Sequence, residues 1–148
     1  LEELKNLAER LGIKEKIIFA GRVKNDDMPS IYNAGDIYLN PTLREEGNAI
    51  VILEALACGL PCIISEIGGT KSTIIDGESG FLVEPCDIKT MSEKLILLLR
   101  NEILRKTMGQ KAKASLGQDF SIDNMLNATQ GLYTALTSRL DKDGVYAN

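Results

Sequence analysis

The sequence predicts an α/β domain built on a parallel sheet with helices on both faces, and three observations carry that expectation. Short apolar runs alternate with longer helical stretches, the pattern of parallel strands joined through helices. Glycines follow two of these runs, at Gly47 and at Gly68 and Gly69, where a strand ends and the chain must turn. Composition agrees, since 148 residues with 44% hydrophobic and 26% charged side chains suffice for one core.

In chain order the pattern predicts a helix over 1–11, a strand over 16–20, a helix over 26–34, a strand over 36–40 (DIYLN) and a helix over 49–58. A strand over 62–65 (CIIS), a short turn over 70–75 and a strand over 81–84 come next. Helices over 87–100, 102–115 and 122–140 close the chain. Gly59 stands where a helix C-cap is wanted, with Pro61 just beyond it, and Asp87 and Ser121 suit helix N-caps. Asp76, Gly77 and Gly80 precede the strand over 81–84, which stops at Pro85. One domain over 1–140 is expected, with a frayed tail from Asp141 and no repeat or low-complexity segment.

The candidate site lies around the helix over 49–58. Its sequence, AIVILEALAC, is apolar apart from Glu54, and Glu46 stands eight residues earlier with Gly47 directly after it. A helix apolar on every side is a buried helix, where an unpaired carboxylate costs roughly several kcal/mol. Glu54 therefore needs a partner, which is either a protein cation or backbone donor, or a ligand with hydroxyls to offer. Read singly, Glu54 is equally a salt-bridged or rim-exposed residue and Glu46 a loop charge. The neighbours favour a ligand: strand, loop and helix start stand in series, and in open α/β sheets the crevice lies beyond the carboxyl ends of the strands. Free N–H groups near Asn48, Ala49, Ile50 and Val51 would receive an anion such as phosphate. Glu54, one turn beyond Ile50, leans back toward that anion, and Glu46 approaches from the loop. One ligand with a diphosphate in its middle and hydroxyls at both ends satisfies all three features.

The stretch EEGNAIVILEALACGLPCIISEIGGTKSTIIDGESGFLVEPCD resembles the signature of retaining GT-B glycosyltransferases of family 4 (glycosyl transferases group 1). The family form is Glu-Gly-Phe-Gly, a second Glu eight residues after the first, small-Gly-x-Pro-Val, Gly-Gly, Asp-Gly-x-x-Gly and Pro-x-Asp. The likeness runs from about Ile17, in IIFAGRV, to Asp87, and more weakly through the C-terminal helices. It implies a Rossmann-like sheet, the C-terminal half of a GT-B fold, incomplete at its N-terminus. It makes Glu46 the catalytic carboxylate, bonded to hydroxyls of the donor sugar, and Glu54 the carboxylate on the ribose. Gly47, Asn48, Ala49, Ile50 and Val51 match the turn whose amides meet the sugar and diphosphate. Gly21, Arg22 and Val23 match the loop beside the nucleobase. Asn48 and Ala49 stand where phenylalanine and glycine are commonest, and Ser72 where a glutamate often follows Gly-Gly. Ala49 carries a Cβ, so the backbone approaches the sugar less closely than glycine allows.

The resemblance further implies transfer of a sugar from a nucleotide-diphosphate donor to an acceptor hydroxyl with retention, with no cofactor and no obligatory metal. The expected partners are the nucleotide-diphosphate sugar, a sugar or lipid-linked acceptor, and an N-terminal domain of the same protein. The chain begins without Met, in mid-helix, with four strands expected before its helical end, so it reads as a fragment unable to turn over alone. The acceptor-binding domain, and the first strand and loop that commonly bring an arginine and a lysine to the diphosphate, are expected outside it. Arg22 and Lys71 are candidate cations within it.

Other classes fit less well. Seventeen basic against twenty-one acidic residues, net −4, give no basic footprint for nucleic acid. The apolar stretches fall short of the roughly 20 residues of a membrane helix, no signal-peptide pattern opens the chain, and a cytoplasmic location is expected. With no histidine there is neither a Ser-His triad nor a histidine-ligated zinc within it. Cys58, Cys62 and Cys86 sit among apolar residues and read as core thiols. GGTKST imitates a phosphate loop, but Thr70 precedes Lys71 and Ile64 takes the place of the earlier glycine. The alternatives are a sugar-nucleotide epimerase of the same fold and a receiver-like signalling module. The latter wants an aspartate where Asn40 and Pro41 stand.

Overall fold

The computed structural model describes residues 1–43, 50–117 and 120–143, with side chains as far as residue 138. The chain divides into two compact units, Leu1–Ile31 and Tyr32–Asn148.

The first unit opens with α1 (Glu2–Arg10), whose first turn carries Glu2 and Glu3 and whose last carries Arg10, each sign matched to the helix dipole. Gly12, at φ +66°, ends it: the Ile13 N–H donates to the Ala8 carbonyl and the Gly12 N–H to that of Glu9, both at 3.0 Å. This paired arrangement needs a left-handed residue, which glycine adopts without a Cβ penalty. The strand expected over 16–20 is not formed. Lys14–Lys16 is a 3-10 turn, and the segment after it is extended at Ile17 (φ −114°, ψ 126°) with no ladder among the described residues. Apolar residues suit a strand, but a strand exists only where its N–H and C=O groups meet a partner. A second 3-10 turn, Asn25–Asp27, leads into α2 (Met28–Asn33), with Pro29 in the first turn, where an N–H has no helical acceptor anyway.

The second unit holds a parallel three-stranded sheet, β1 (Tyr38–Asn40), β2 (Cys62–Ser65) and β3 (Gly80–Val83), in that spatial order. Tyr38 pairs with Cys62, and Cys62 with Gly80. The expected strand over 36–40 is thus trimmed to its last three residues. Every residue of β2 is buried, as befits a central parallel strand covered on both faces. Ile63 centres a cluster with Phe81, Val83, Leu98 and Met108, against which Ile37, Met91, Leu95 and Leu104 pack.

Between β1 and β2 runs α3 (Ile50–Ala57), which is not buried all round as its composition suggests. Ile52, Ala55 and Leu56 are buried, while Ile50 is 70% exposed and Val51 and Ala57 also face outward. A helix this short meets the core along one stripe, and the remaining apolar side chains stay outside it. Gly59 (φ +76°) caps it as expected, with the Leu60 N–H on the Ala55 carbonyl (3.0 Å) and its own on Leu56 (2.8 Å). A Cβ on Gly109 would collide with the Gly59 carbonyl, so the turn after α3 meets the Gly109 segment backbone to backbone.

Two turns close the strand ends. The Thr70 hydroxyl accepts from the Ile67 N–H (3.0 Å) and donates to the Ser65 carbonyl (2.9 Å), holding the 3-10 turn Gly68–Ser72 onto the end of β2. Asp76 accepts from the Leu82 N–H (2.9 Å), and the Gly77 N–H, at φ +74°, donates to the Gly80 carbonyl (2.8 Å). A Cβ on Gly80 would collide with the Cys62 carbonyl. The Asp-Gly-x-x-Gly motif is therefore a device for starting β3. Helices α4 (Ile88–Arg100), α5 (Glu102–Ser115) and α6 (Ile122–Asp143) follow. Asp87 and Ser121 cap as expected, accepting from Thr90 (3.0 Å) and Asn124 (3.1 Å). Helix continues through the start of the tail expected to fray, and residues 144–148 lie outside the described ones.

Candidate functional site

Glu54 sits in the middle of α3, half-buried, and among the described residues its partner is a side-chain hydroxyl. The Tyr32 hydroxyl donates to its Oε2 at 3.0 Å. Tyr32, 7% exposed, is the buried residue of α2. Its ring meets that of Tyr38 on β1 edge to face, with centroids 6.0 Å apart and planes at 61°, a favoured aromatic geometry. The Asn40 amide in turn reaches the Tyr38 hydroxyl at 3.4 Å. Burial pushes the Tyr32 hydroxyl pKa up, and the hydrogen bond to Glu54 and that carboxylate's charge push it further. The proton therefore stays on Tyr32, which acts as a donor.

Glu54 also lines a groove of about 310 Å³, with Ile50, Leu53 and Ala57 of α3 and Leu116, Phe120 and Ser121 beyond α5. No ion pair of Glu54 exists among the described residues. A carboxylate has about four acceptor positions, so one held by a single hydroxyl keeps most of its capacity. Chemically the arrangement is a pre-set acceptor beside an open, mainly apolar trough. A second cavity, about 260 Å³, opens at the carboxyl ends of the strands between Pro41, Leu43, Ser65, Cys86, Asp87 and Met91.

Ile50 and Val51 form the first turn of α3 as expected, and Ile50 shares the groove with Glu54. Glu46, Gly47, Asn48 and Ala49 lie outside the described residues. Gly21, Arg22 and Val23 belong to the first unit, where Gly21 has φ +69° with open space around it and Arg22 is exposed. Lys71 is engaged: its ammonium pairs with Glu66 at 2.8 Å, and that bond raises its pKa. Of the cysteines, Cys62 is buried and its thiol is pushed up to about 12 by burial. Cys86 corrects the expectation of core thiols. It is exposed and holds φ +66° just before the Asp87 cap, since the chain must turn left-handed there and a side chain in that turn points outward. Sequence reasoning missed Tyr32, because a tyrosine twenty-two positions before Glu54 carries no local signal of the contact. Among the described residues no group of three metal-binding side chains stands together, and no helix is long and apolar enough to cross a membrane.

A parallel sheet flanked by helices, with a held carboxylate on the helix after its first strand, is the architecture of a Rossmann-like α/β domain. The chain belongs to the family glycosyl transferases group 1, whose model matches residues 1–115. It is 31% identical over 138 residues to the N-acetyl-alpha-D-glucosaminyl L-malate synthase of Bacillus anthracis, covering 93% of this chain and 35% of that protein. Among solved structures it resembles the C-terminal domain of a glycosyl transferase group 1 family protein (LpcC) from Francisella tularensis, at 30% identity and TM-score 0.74. That match covers 82% of this chain and 62% of the other. It also resembles Anabaena Alr3699/HepE, solved in complex with UDP-glucose, at 25% identity and TM-score 0.79, covering 93% of this chain and 36% of that one. The chain spans about a third of the length of the curated relatives it matches.

Proposed function

We propose that this chain is the donor-binding part of a retaining glycosyltransferase of family 4, with residues 1–140 as its nucleotide-sugar domain. The sugar's anomeric carbon exchanges a diphosphate oxygen for an acceptor hydroxyl oxygen, with configuration retained. Glu54 accepts from the ribose hydroxyls and Glu46 from those of the sugar. Amides of residues 47–51 receive the diphosphate, and residues 21–23 border the nucleobase. Charge building on the departing diphosphate is met by these amides and by cations from the rest of the protein. The acceptor domain and the first strand and loop lie in that remainder, and the 148 residues do not turn over alone, because the reaction needs both halves closed around the substrates. The activities of the matched relatives and the UDP-glucose held by HepE support this reading.

The observation that carries it is Glu54: a half-buried glutamate that accepts from Tyr32 and lines a groove. In the complete enzyme, Glu54→Ala is expected to raise the donor KM and lower kcat/KM by roughly 10–100-fold. Wild-type kinetics in that variant would end the ribose assignment. Calorimetry with UDP, GDP and ADP sugars on the complete enzyme identifies the donor.

A further inference from the structure

We infer that Tyr32 is a positioning residue for the donor site: it fixes the carboxylate of Glu54 so that the other oxygen faces the incoming ribose hydroxyls. This rests on the reading of Glu54 given above and adds a residue to it. A glutamate on the outer part of a short helix samples several rotamers, and a ligand that must freeze them loses affinity by that entropy. Here the freezing is done beforehand. The Tyr32 hydroxyl donates to Oε2 at 3.0 Å, and the tyrosine cannot easily follow a moving carboxylate. It is 7% exposed, and its ring is set against Tyr38. Tyr38 sits on β1 with its hydroxyl reached by Asn40. The restraint thus runs from the sheet, through two aromatic rings, to one oxygen of Glu54.

The stoichiometry also fits. A tyrosine hydroxyl brings one proton and occupies one of the carboxylate's acceptor positions, so the ligand still finds Oε1 whole. Neutral Tyr32 lowers the charge on Glu54 far less than a lysine would, leaving a strong acceptor for a vicinal diol. A merely structural bond makes a different prediction, because then the tyrosine serves folding and the ligand is indifferent to it.

Tyr32→Phe separates the two, since it keeps the ring and its contact with Tyr38 while removing the donor. In the full-length enzyme it is expected to raise the donor KM by about 3–10-fold with kcat within about twofold of wild type. In the Glu54→Ala background the same change is expected to have no further effect on donor KM, because the group it positions is gone. Glu54→Gln keeps an oxygen acceptor for the hydroxyl, so it is expected to outperform Glu54→Ala only while Tyr32 is present. An unchanged donor KM in Tyr32→Phe with a lowered Tm, or penalties that add in full in the double variant, would overturn the inference. Impaired Glu54→Ala with unaffected Tyr32→Phe refutes the positioning role alone, whereas wild-type Glu54→Ala refutes the ribose reading and this role with it.

Discussion

Residues 17–20 and the strand β2 are both runs of four residues, IIFA and CIIS, and they meet opposite fates. Ile63 in β2 is fully buried, bonded into ladders on both sides and packed under α4 and α5. Ile18 is 92% exposed, in a segment with no ladder among the described residues. Apolar content is nearly equal, so what differs is the neighbour. β propensity measures how well a side chain fits a pleated, covered surface, and it yields stability only when such a surface is offered.

The largest break of this comparison comes from truncating the two isoleucines in the 148-residue chain. Ile63→Ala is expected to destabilise by about 3–4 kcal/mol through lost burial and a residual cavity, and Ile18→Ala by under about 0.5 kcal/mol, both read from urea unfolding. Near-equal losses would mean that residues 17–20 are covered. A smaller effect is expected from the glycines. Gly80→Ala drives a Cβ into the Cys62 carbonyl between two paired strands, at a cost of about 1–3 kcal/mol. Gly21→Ala meets open space and bears only the strain of φ +69°, about 1 kcal/mol.

The finest probe is the proton on Cys62. Burial raises its thiol from 9.0 to about 12, so the folded chain holds a proton that the unfolded chain releases. Stability from this group is complete below about pH 9 and declines as pH climbs toward 12. Cys62→Ala is expected to flatten that decline, seen as the urea midpoint against pH. In the same chain Cys86, exposed, should react at once with a chromogenic disulfide reagent, and Cys62 only on unfolding.

Much of the molecule is legible in order along the chain. The helix caps at Asp87, Ser121 and Gly59 are local chemistry: a side-chain oxygen or a missing Cβ acts within a few residues of its own position, and each is found where the pattern puts it. Of the two candidate carboxylates, Glu54 falls on a helix as the pattern puts it, while Glu46 lies outside the described residues. The burial of α3 is misjudged from composition because eight residues offer one stripe to the core, whatever the other side chains are. The strand over 16–20 is misjudged because pairing is a property of two segments. Gly12 is readable as a cap in the same way as Gly59, each two residues past its helix end.

By itself, then, the sequence determined the α/β class, the caps and turns, the order of β2 and β3 with the Asp76 to Gly80 device between them, and the family to which the chain belongs. Only the tertiary structure decided which apolar runs become strands, which side of α3 is covered, and that a tyrosine from α2 holds Glu54. Caps and turns are set by forces reaching a few residues, whereas ladders, burial and the Tyr32 bond need groups far apart in the chain to arrive at one place.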